Sequence, residues 1–81
     1  MTKANFCREL GQFLSENVPD YEIDQIIYKE DDNAEYAYII YNGGAQKRIN
    51  ISCNSNWSIM KDILNKLNDT DYLMPSQRIT I

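Results

Sequence analysis

The chain contains no histidine, only two cysteines, two prolines and three glycines, and a single tryptophan among 81 residues. Without histidine, the commonest general base and the commonest metal ligand are missing together. A soft-metal site would have to rest on Cys7 and Cys53, whose separation matches no metal-binding spacing. The same thiols have no histidine to activate them. Both fall on apolar positions and read as small buried hydrophobes rather than as a bridge.

Other chemistries fail on pattern. Gly43-Gly44 lies between two strand-like runs and does not open a helix, so it lacks the dipole and amide cradle of a phosphate loop. Asp31-Asp32-Asn33 with Glu35 lacks the glycine and distal glutamate of a calcium loop. No two carboxylates are marked as an acid–base pair. No apolar run approaches the roughly 18 residues of a membrane span. Residues 1–18 mix Phe6, Leu10, Phe13 and Leu14 with Lys3, Arg8, Glu9 and Glu16, so no signal-peptide core is present. The expectation is a cytoplasmic chain that is not an enzyme and takes no cofactor or metal.

What is present is a folding plan. Hydrophobic content of 43% and charged content of 25% are those of an ordinary globular protein. A length of 81 residues gives one domain, 1–81. Phe6, Leu10, Phe13 and Leu14 share one helical face, Thr2 is placed to cap it, and Asn17 with Pro19 ends it, which predicts a helix over 3–16. Gly11 in its middle suits close packing against a sheet.

Tyr21 to Glu30 reads as a strand whose alternation breaks, so that Tyr21 and Ile23 share one face and Ile26 and Tyr28 the other. Either a bulge at Asp24–Gln25 resets the phase or both faces are partly covered. Asp31 to Ala34 is a turn. Glu35 to Tyr41 is the second strand, Asn42-Gly43-Gly44 a tight hairpin turn, and Gln46 to Cys53 the third strand. A three-residue loop pairs Tyr41 with Ala45 and places Ala37, Ile39, Tyr41, Ile49, Ile51 and Cys53 on the core face. Tyr36, Tyr38 and Ile40 then share the other face with Arg48 and Asn50. A two-residue turn instead slips the pairing by one and puts Tyr36 and Tyr38 on the Ile49–Ile51 face; the three-residue loop is favoured because it keeps Arg48 beside tyrosine rings.

Asn54 or Ser55 caps a second helix whose apolar face is Trp57, Met60, Ile63, Leu64 and Leu67, with Ile59 adjacent. Asn68 to Thr70 ends it, and Arg78 to Ile81 alternates like a short last strand. The order α-β-β-β-α(-β) predicts a two-layer α+β domain. It has a three-stranded antiparallel sheet, a short fourth C-terminal strand if the tail pairs, and two helices on one face.

The net charge of −4 is unevenly placed. Residues 1–35 carry nine acids against three bases, and residues 36–81 three against five. An acidic rim of this kind steers a basic partner. Six tyrosines favour an interface, because tyrosine offers large contact area with a polar tip. The expectation is therefore a protein-binding module, an acidic regulator or inhibitor of a basic partner. The contact residues would be Tyr28, Tyr36, Tyr38 and Arg48 with Asp24, Asp31, Asp32 and Glu35. A homodimer through the same sheet face satisfies the pattern equally. An Ile- and Asn-rich vocabulary suggests an AT-rich bacterial or phage genome, and the size and acidity suit a mobile-element accessory protein. The alternative is single-stranded nucleic-acid binding through Tyr36, Tyr38, Lys47 and Arg48, against which the acidic balance weighs.

Overall fold

Thr2 starts the first helix, its hydroxyl accepting the Asn5 amide at 3.1 Å. In the computed structural model, which describes residues 1–81, α1 runs Lys3–Asn17 and closes with the Val18 amide donating to the Leu14 oxygen. Pro19 then fixes a single 3-10 turn, Pro19–Tyr21, so the first strand begins later than the sequence pattern suggests. Glu22 turns the chain into β1 from a left-handed conformation, φ 57°.

The strands are β1 (Ile23–Glu30), β2 (Glu35–Tyr41) and β3 (Gln46–Asn50), antiparallel in the order β1-β2-β3. The broken alternation of β1 resolves as a bulge: the register shifts between Ile23 and Gln25, so Ile23 and Ile26 both reach the core. Asp31 holds the first hairpin, its Oδ1 accepting the amides of Asn33 at 3.2 Å and Ala34 at 3.1 Å. The second hairpin has the three-residue loop. Tyr41 donates to the Ala45 oxygen at 2.9 Å, and Gly44 takes φ 94°, which suits glycine. Ile39 consequently faces Lys47, and Ala37 faces Ile49.

β3 stops at Asn50 rather than Cys53. The Asn50 side chain accepts both the amide and the hydroxyl of Ser52, which turns the chain away from the ladder. Ile51 still reaches the core, whereas Cys53 is exposed, so only Cys7 is the buried thiol expected of both.

Ser55 caps α2 (Asn56–Lys66) through the Ser58 amide. Both helices meet the sheet in one core of Cys7, Leu14, Ile23, Ile26, Ala37, Ile39, Ile51, Ile59 and Ile63. At Gly11, α1 approaches β1 so closely that a Cβ there would lie 2.5 Å from the Ile26 amide nitrogen. No helix is long and apolar enough to cross a membrane.

The tail forms no fourth strand. Leu73 donates to the Gln46 oxygen at 2.8 Å on the outer edge of β3. Beyond it, a 3-10 turn spans Pro75–Gln77. The Gln46 side chain then donates to the Ile79 oxygen at 2.9 Å and accepts the Ile79 amide at 3.0 Å. One buried amide thus satisfies the main-chain groups that a strand partner would otherwise take.

Candidate functional site

The sheet divides the expected contact residues between its two sides. Tyr28 pairs with Ala37 and lies on the helix side, against the core. Its hydroxyl reaches the carboxylates of Glu35 and, at 3.0 Å, Glu30. Lys3 bonds Glu35 at 2.9 Å and the main-chain oxygens of Ile51 and Ser52. The hydrogen bond from Tyr28, followed by that from Lys3, holds the Glu35 carboxyl below its ordinary range. The same bond to Glu35 pushes the Tyr28 hydroxyl up. This cluster ties the start of α1 to the β1–β2 hairpin.

Tyr36, Tyr38 and Arg48 meet on the opposite side. The Arg48 guanidinium lies 4.9 Å from the Tyr36 ring centre and 6.0 Å from that of Tyr38, and the two rings are 6.4 Å apart. The expected patch of Tyr28, Tyr36, Tyr38 and Ile40 is therefore not one surface. Tyr28 is on the far side, and Tyr38 and Ile40 are buried. Asp31 and Asp32 stand exposed in the hairpin turn, and Asp24 is exposed at the bulge.

Lys47 is the residue that local pattern misplaces most. It faces Ile39 on the helix side and is 1% exposed. Its ammonium donates to the oxygens of Lys66 at 3.0 Å, Leu67 at 3.3 Å and Asp69 at 2.7 Å. The Lys66 and Leu67 oxygens lie at the C-terminal end of α2, and the Asp69 oxygen lies just beyond it. The Asp69 carboxylate lies 3.4 Å from it, and the rings of Tyr72 and Tyr41 lie 4.7 and 5.5 Å away. Burial works against ionisation of Asp69, but the Asp71 amide, Lys66 and Lys47 outweigh it and hold its carboxyl low.

Tyr41 and Tyr72 meet edge to face with ring centres 5.6 Å apart. The Tyr41 hydroxyl is buried without a hydrogen-bond partner. Burial raises its pKa, against the opposing pull of the Lys47 ammonium.

No family model, curated protein or solved structure matches this chain.

The helix layer carries what the sequence pattern assigned to the core. α1 buries Cys7, Gly11 and Leu14, and leaves Phe13 57% exposed. α2 buries Ile59 and Ile63, and leaves Trp57 69% and Leu64 39% exposed. Beside its buried line each helix therefore leaves apolar side chains in water: Phe13 on α1, where Phe6 and Leu10 pack against the core, and Trp57 and Leu64 on α2, where Met60 is half-buried. The sequence signal was the width of the apolar arc, which exceeds what one sheet face covers.

Proposed function

We propose that this chain is a non-enzymatic protein-binding module whose partner docks on the helix layer. The observation that carries this reading is Trp57, 69% exposed on a regular helix, with Phe13 57% exposed on the other. Tryptophan is enriched among the residues that dominate binding energy at interfaces. Apolar side chains left in water at helical spacing gain free energy when a partner covers them. The acidic balance of residues 1–35 favours a partner with a basic surface and speeds its encounter.

The nucleic-acid reading has weaker support. Lys47 is spent inside the protein, and Arg48 is stacked on Tyr36. Phosphate affinity rises with the number of free basic groups, and this face has few.

The test is affinity capture from host lysate with the wild type and a Trp57→Ser/Phe13→Ser double variant. Both side chains are mostly exposed, so the variant keeps its melting temperature. The expected result is a protein held by the wild type and lost by the variant. Equal capture by both would overturn the helix-layer reading.

A further inference from the structure

We propose that the cleft between the β2–β3 hairpin and the C-terminal segment is a binding site for a free α-amino acid with an apolar or aromatic side chain. The cleft measures about 360 Å³ and is lined by Glu22, Tyr41, Gly43, Ala45, Tyr72 and Arg78. That volume lies within the usual range for small-ligand sites. Three stretches of chain build it: the residue before β1, the hairpin, and the tail.

Its charge pattern selects the ligand. Glu22 and Arg78 both line the cleft, yet neither belongs to any of the four ion pairs in the molecule. Opposite charges that share a cleft without pairing suit a ligand carrying both charges. The Arg78 guanidinium is shaped to take a carboxylate in two parallel bonds, and Glu22 accepts from an ammonium. The edge-to-face rings of Tyr41 and Tyr72 supply an apolar wall for the side chain. Gly43 leaves open space, since a Cβ there would meet no atom within 4 Å.

Two further observations fall on the same residues. The Tyr41 hydroxyl is buried beside the Lys47 side chain without a hydrogen-bond partner, which is rare in folded proteins. Glu22 is the one non-glycine residue with positive φ, held there as its oxygen accepts the Asn42 amide at 2.8 Å. Backbone strain of this kind concentrates at ligand sites.

The experiment is an NMR titration of the full chain with L-phenylalanine and L-leucine at millimolar concentration, with thermal melting in parallel. The expected result is shift changes confined to Glu22, Gly43, Tyr72, Arg78 and their neighbours, together with a raised melting temperature. Arg78→Gln and Glu22→Gln alter exposed side chains, so both variants fold. Each should weaken binding by about tenfold, the loss of one charge-assisted bond. N-acetyl-phenylalanine and phenylalaninamide, each lacking one charge, should bind correspondingly worse. The absence of any shift with either amino acid would overturn the proposal. So would equal binding of the blocked forms, or unchanged binding by both variants. Neither variant touches Trp57 or Phe13, so this result and the capture result are independent.

Discussion

The Nζ of Lys47 lies 2.7 Å from the main-chain oxygen of Asp69, across the boundary between β3 and the segment after α2. That bond, with those to Lys66 and Leu67, fastens the end of α2 to the sheet. A cation there also suits the negative end of the helix dipole. The molecule has made a basic residue part of its interior.

Lys47→Met keeps the length of the side chain and removes its three donors. The carbonyls it served and the Asp69 carboxylate lose their cation. The expected cost is about 3 kcal/mol, read as a lower urea midpoint with an unchanged slope. A variant as stable as the wild type would show that water replaces the ammonium without loss.

Gly11→Ala tests the close approach of α1 to β1. Alanine favours a helix over glycine by about 1 kcal/mol. At this position, however, its Cβ would lie 2.5 Å from the Ile26 nitrogen. The clash should dominate and give a net loss of about 2 kcal/mol. A stabilised variant would mean that the helix shifts freely.

The two thiols should react at different rates. Cys7 is fully buried, and burial pushes its thiol up to about 11, whereas Cys53 is exposed. A maleimide added to the native protein should label one site, Cys53, and label both only after denaturation. Rapid double labelling of the native protein would contradict the placement of Cys7.

Acid should weaken the Lys3–Glu35–Tyr28 cluster. The folded carboxyl of Glu35 titrates below its ordinary 4.5. Its contribution is therefore complete above that pH and is lost as the pH falls through the lowered folded value. Lys3→Met should reduce the melting temperature at neutral pH and converge with the wild type in acid. A constant difference between the two across that range would exclude the linkage.

These residues also show how far the sequence could be read. The turn chemistry of Asp31 and Gly44 is local, so the three strands and their antiparallel order were legible from the pattern. The register was decided only by the structure: Asn42-Gly43-Gly44 suits a two- or a three-residue loop, and the broken alternation at Asp24–Gln25 suits a bulge or a sheet covered on both faces. The burial of Lys47 was implied by the same register. Lys47 and Arg48 are adjacent in a strand and must point to opposite faces, so they never belonged to one basic platform. Tyr28 was assigned to the wrong side because the bulge fixes its phase only once Ile26 is paired with Ile39.

The helices were harder to read. Periodicity located both, but their rotation about their own axes depends on the sheet beneath. Gly11 lets α1 approach β1 closely, and α2 turns Ile59 and Ile63 rather than Trp57 toward the core. The cleft at Tyr41 had no sequence signal, since Glu22, the hairpin and the tail lie far apart in the chain: the Asn42–Glu22 backbone bond brings the first to the hairpin, and the Gln46 clamp and the Lys47 bonds bring the tail.

The protein's only tryptophan offers the most direct test of the central claim. Emission of the purified chain, with acrylamide quenching, reports whether Trp57 stands in water before any partner arrives. The account predicts the emission of a hydrated indole and free quenching at low protein concentration. Blue-shifted emission that resists quenching at every concentration would place Trp57 inside the fold and contradict the helix-layer docking surface.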